Sequence, residues 1–127
     1  MNWLTLAALN LALAVCTGAF GAHALKARLS AEALGWWHTA VLYHFIHALG
    51  LLAIGSLLRL SALTPLPAGL GTVALWLQAG ILIFAGSLYA MALGAPRWFG
   101  AITPIGGLAF IIGWLWLAWI CWSPARG

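Results

Sequence analysis

Four long apolar runs, at about 2–25, 34–58, 69–93 and 103–122, fill most of this 127-residue chain, and nearly every charge lies between or outside them. A hydrocarbon core roughly 30 Å thick is crossed by about 20 helical residues rising about 1.5 Å each. Each run reaches that length. The expected fold is therefore all-α, a single transmembrane domain over residues 1–127 built as an integral membrane four-helix bundle. Short connections make consecutive helices antiparallel neighbours.

Composition excludes a soluble alternative. Charged residues make up 5% of the chain and hydrophobic ones 65%, with a mean hydropathy of +1.09, whereas soluble domains carry about 25% charged residues. The six charges, Lys26, Arg28, Glu32, Arg59, Arg97 and Arg126, sit at or beyond the ends of the runs. They act as flanking anchors. Five scattered basic residues form no nucleic-acid-binding patch, so the expected partners are the lipid bilayer and a membrane protein or a second copy of the chain. The first run lacks a basic leading segment and is too long for a secretory signal, which reads as a retained span.

Orientation follows from the basic residues. Lys26, Arg28 and Arg97 share one face, Arg59 and Arg126 the other. Three against two places the first face in the cytoplasm and both termini outside. Trp36, Trp37 and Trp98 would then mark the inner interface, and Trp3, Trp119 and Trp122 the outer one.

The connections carry their own signals. Arg28 and Glu32, spaced i,i+4, predict a short interfacial helical turn. Pro65 and Pro67 prevent a continuous helix from 36 to 93. Thr103-Pro104 reads as an N-cap followed by a first helical residue. Small residues recur at four-residue spacing, Ala14, Gly18 and Ala22 in the first run and Gly86, Ala90 and Gly94 in the third. Gly21, Gly106, Ala109 and Gly113 add to the contacts that let backbones approach in lipid. Gly18–Leu25 also aligns with Gly86–Leu93, hinting at an internal repeat of two parallel hairpins.

Chemistry within the membrane rests on histidine. His23 ends the first run, His38 opens the second, and His44 and His47 follow at i,i+3 with Tyr43 beside them. Intramembrane ionisable residues are functional candidates because lipid offers them no partner. As metal ligands His23, His44 and His47 form an incomplete set: no carboxylate lies in the bundle, and Cys16 and Met91 are the soft donors nearby. The structural reading has neutral imidazoles facing the interior and hydrogen-bonded to backbone carbonyls, Asn10, Gln78 or Thr39. Cys16 and Cys121 lie at different depths and read as small buried residues rather than a disulfide. No acidic pair, phosphate loop or nucleophile with its base is present. Neither catalysis nor a cofactor is expected.

Together these residues form a pattern: Gly18-Ala-Phe-Gly-Ala-His-Ala-Leu25, Trp37-His-Thr-Ala40, Tyr43-His-Phe-Ile-His-Ala-Leu49 and Ile102-Thr-Pro-Ile-Gly-Gly107. The chain resembles, nearly end to end, the YgdD-like family of small bacterial inner-membrane proteins, which has a mitochondrial-type relative in animals. The resemblance implies a four-span inner-membrane protein and supplies no catalytic residue. Two roles follow: a structural or accessory subunit packing against a larger complex or itself, or a small module whose histidines hold a metal, a quinone-like ligand or a proton.

Overall fold

The computed structural model describes residues 2–122 and is all helical over that range. Four helices are long and apolar enough to cross a membrane. They are α1 (Trp3–Leu25), α2 (Ala31–Leu60), α3 (Leu70–Ala92) and α4 (Thr103–Trp122), the last preceded by a 3-10 turn at Arg97–Ala101. Arg126 and Gly127 lie outside the described residues.

Local chemistry sets the helix ends. The Asn2 side chain accepts from Thr5 N at 3.2 Å, capping α1, and Ser30 Oγ accepts from Ala33 N at 3.1 Å, capping α2. These side-chain oxygens satisfy amides that have no carbonyl one turn back. The Ser30 cap corrects the expected boundary, because α2 starts at Ala31 and Arg28 lies before it. Arg28 and Glu32 therefore share no helical turn. Glu32 instead meets Arg97 at 3.1 Å across the surface, and the Arg97 guanidinium sits 5.7 Å from the Trp36 ring centroid. At the end of α3, Gly94 takes φ +112°, and the bonds Ala95 N to Ala90 O and Gly94 N to Met91 O close the helix. Glycine reaches that left-handed geometry without a Cβ penalty. Thr103 is already helical, and its hydroxyl meets Ser87 Oγ at 2.6 Å and Phe99 O at 3.3 Å.

Two helices contain a wide π turn, at Gly21–Leu25 in α1 and Ile81–Ala85 in α3. The alignment suggesting an internal repeat does not pair these positions.

Consecutive helices pack most closely, α1 on α2, α2 on α3 and α3 on α4. Leu51, Leu77 and Val73 are fully buried within a cluster that also holds Ala7, Ala48, Ile54, Leu70 and Phe110. A second cluster, Ala40, Ala85, Leu88 and Met91, fills the end that bears the first and third connections. Leu9, Leu13, Leu42, Leu49, Leu82 and Leu115 point outward. Such a surface suits lipid and not water.

The seams depart in part from the four-residue stripes. Ala14 and Gly21 are buried, and the Trp37 indole fills the space above Gly21. Gly18 has Val41 Cγ1 3.4 Å from where its Cβ would be. Ala22, by contrast, is exposed. A strict four-residue step drifts about 40° per step around an α-helix, so the buried line Ala7, Asn10, Ala14, Gly21, Leu25 leaves Ala22 behind. In α3, a methyl on Gly86 would meet nothing, and Ala90 is half-buried. Gly106 packs on the Phe84 backbone, and Gly113 faces Trp76 and Leu77.

Candidate functional site

Polar side chains converge between the two apolar clusters, near mid-depth. His44 and His47 lie within about 3 Å of the axial midpoint of α2. Both are buried, at 2% and 4% exposure. Asn10 comes from α1, Gln78 and Tyr89 from α3, and Thr17 from α1, so His44 is met from two neighbouring helices.

Donors and acceptors can be assigned by elimination. Asn10 Nδ2 lies 2.9 Å from Leu6 O and 2.8 Å from Gln78 Oε1. A backbone carbonyl only accepts, so the Asn10 atom facing it is the amide nitrogen. Asn10 Oδ1 then faces His44 Nε2 at 3.1 Å, and that ring nitrogen carries the hydrogen. In the neutral ring Nδ1 accepts, from the Tyr89 hydroxyl at 3.0 Å. Tyr89 has one proton, so the Thr17 hydroxyl, 2.9 Å away, donates to Tyr89, with Ala14 O at 3.1 Å as its alternative acceptor. The result is a one-way chain from Thr17 through Tyr89 and His44 to Asn10. Each member polarises the next in such a chain. Trp37 Nε1 closes the α1–α2 side by donating to Thr17 O at 2.8 Å.

His47 is held differently. Its Nδ1 lies 2.8 Å from Tyr43 O, which accepts only, so Nδ1 carries the hydrogen and Nε2 keeps a lone pair. The ring stacks on Phe110 with centroids 3.4 Å apart and planes 12° apart. Tyr43 and Trp114 flank it, each with its ring centroid 5.9 Å away.

Several expected placements change. His23 is exposed. It lies two residues from each of the buried Gly21 and Leu25, hence on the opposite side of the helix, near the end where water solvates it. His38 and Thr39 are exposed too, so Thr39 is no partner of the buried histidines. Trp37 is buried at 4% exposure rather than interfacial. Cys16 and Cys121 are free and exposed, since an uncharged thiol facing lipid tails costs little. No three His, Cys, Asp or Glu side chains among the described residues come together as a metal-binding group. A crevice of about 240 Å³ lined by Asn2, Trp3, Leu4, Gly55, Leu58 and Arg59 opens at the opposite end of α1, away from the histidines.

A family model described as protein of unknown function (DUF423) matches residues 17–107. That span includes Thr17, His44, His47, Gln78 and Tyr89. The chain belongs to this DUF423 family. It is 48% identical over 115 residues to the UPF0382 membrane protein SSP2132 of Staphylococcus saprophyticus, covering 91% of this chain and 92% of that one. It is 46% identical to the UPF0382 membrane protein YwdK of Bacillus subtilis, covering 89% of each. A UPF0382 membrane protein of Haemophilus influenzae is 44% identical over 93% of this chain and 91% of its own. No solved structure matches. Like these relatives, the chain is a membrane protein of a family whose function is unknown.

Proposed function

We propose that the protein is a small accessory subunit of the bacterial inner membrane, without catalytic activity, that packs against a larger membrane complex or a second copy of itself. The observation that carries this reading is the closed hydrogen-bond chain joining Thr17, Tyr89, His44, Asn10 and Gln78. Its polar groups are spent on one another. No side-chain nitrogen or oxygen atom that is itself fully buried among the described residues is left without a partner. Polar side chains used in this way tie helices together. The proposed orientation puts both termini outside, on the Lys26, Arg28 and Arg97 bias. On the motifs it resembles, the chain is also proposed to be YgdD-like and related to the mitochondrial-type animal protein.

Isolation from native membranes in mild detergent tests the reading. An accessory subunit retains a membrane-protein partner or runs as an oligomer, with no stoichiometric haem or metal. A haem or metal that is lost on His44→Ala would overturn it.

A further inference from the structure

The lone pair on His47 Nε2 has no donor among the described residues. The residue is 4% exposed, yet no fully buried side-chain nitrogen among the described residues lacks a partner. The Nε2 edge therefore carries part of that small exposure. The ring stands in the seam where α2 meets α4, stacked on Phe110 and flanked by Tyr43 and Trp114, and that seam is the groove considered below. α4 packs its backbone chiefly on α3, so α2 and α4 are bridged by side chains, with His47 and Tyr43 on one wall and Phe110 and Trp114 on the other. A methyl on Gly50 would strike the Trp114 ring at 2.7 Å, which brings the indole across the groove. Tyr43 and Trp114 are 38% and 37% exposed and form the rim facing the lipid.

We propose that this groove is a binding site for a bilayer-dissolved hydroquinone, whose ring lies against the Tyr43 rim and whose hydroxyl donates to His47 Nε2. Three observations select that chemistry. The acceptor stands near mid-depth, where lipid tails offer no donor. The Tyr43, His47 and Phe110 rings lie within 23° of parallel, a stack that a further planar ring extends. Finally, Nδ1 is committed to Tyr43 O, so the neutral imidazole offers only an acceptor on its open edge. A hydroquinone supplies the matching hydrogen, and the oxidised quinone does not. The site thus distinguishes two redox forms by the presence of a single hydrogen. Binding here goes beyond the accessory role, and a groove that takes no ligand leaves that role standing.

The test is a three-ligand comparison on the unsubstituted protein in lipid nanodiscs, kept anaerobic and corrected for partition into empty discs. The probes are durohydroquinone, duroquinone and the dimethyl ether of durohydroquinone. Durohydroquinone should bind about tenfold or more tightly than the other two, the size expected when an acceptor is left unpaired. It should also shift the nitrogen-15 resonance of His47 Nε2 and leave His44 unmoved. His47→Phe, which keeps a ring against Phe110, should abolish the preference for the reduced form. Equal affinity for all three probes, an Nε2 resonance that does not respond, or an unchanged preference in His47→Phe overturns the proposal. If His47→Phe does not fold, the ligand comparison decides alone.

Discussion

Gly106 of α4 rests directly on the backbone of Phe84 in α3, where an added methyl would overlap the Phe84 nitrogen and Cα. Backbone cannot swing aside as a flexible side chain does. Gly106→Ala should therefore cost about 1–3 kcal/mol, the range for overpacking, read as a lower melting temperature in detergent. Gly86→Ala is the matched control. Its Cβ would meet open space, so it should be neutral or gain up to about 1 kcal/mol from reduced chain entropy.

His44 and Asn10 should couple. Removing the imidazole by His44→Ala leaves Asn10 Oδ1 without its donor and returns the Tyr89 proton to a site with no ring acceptor. Hydrogen bonds between membrane helices are worth about 0.6 kcal/mol on average and up to about 1.7. A double-mutant cycle with Asn10→Ala in thermal or denaturant melts should give a coupling within that range. A zero coupling would mean that the His44–Asn10 bond contributes nothing to stability.

Tyr89→Phe keeps the ring against Trp37, whose centroid lies 4.7 Å away, and deletes only the hydroxyl between Thr17 and His44. It should destabilise by about 1 kcal/mol with no change in helix content. Far-ultraviolet circular dichroism and a melt check both parts.

Glu32 and Arg97 make a short ion pair, but their side chains are 55% and 80% exposed. Solvent screens such a pair, and its contribution should be under about 1 kcal/mol. The cycle Glu32→Ala with Arg97→Ala should show little coupling, and less still at high salt.

A reporter fused after Gly127 should be active outside the cytoplasm, as the basic residues on the first and third connections predict. Activity inside would invert the bundle and leave the number of spans unchanged.

The four spans were legible in the sequence because hydropathy reports burial in lipid residue by residue. The histidine site was legible only in part. Depth alone singled out His44 and His47, with Asn10 and Gln78 among the possible partners. Tyr89 and Thr17 carry no such mark, since a tyrosine near a helix end and a threonine among alanines are common in membrane helices. The role of Tyr89 depends on how far α3 has rotated by that point, which the π turn before it changes. Glu32 shows the same limit, because i,i+4 spacing implies contact only within one helix and the Ser30 cap starts α2 between Arg28 and Glu32. Gly80, which packs on the Phe110 ring, and Gly55, where an added Cβ would come within 3.2 Å of Trp3 and Leu4 in α1, were absent from the expected seams because neither belongs to a four-residue stripe.

The wide turn at Ile81–Ala85 also says something about chain length. A π turn amounts to one residue inserted into an α-helix. If the same residues wound as regular α-helix instead, everything beyond them would turn by about 100°. Gln78, before the turn, would still face Asn10, while Tyr89, after it, would leave both His44 and Thr17. The wide turn absorbs one extra residue and so keeps the two halves of α3 in phase with the same pair of helices, which means that deleting one residue within it should leave Gln78 and Tyr89 on their partners.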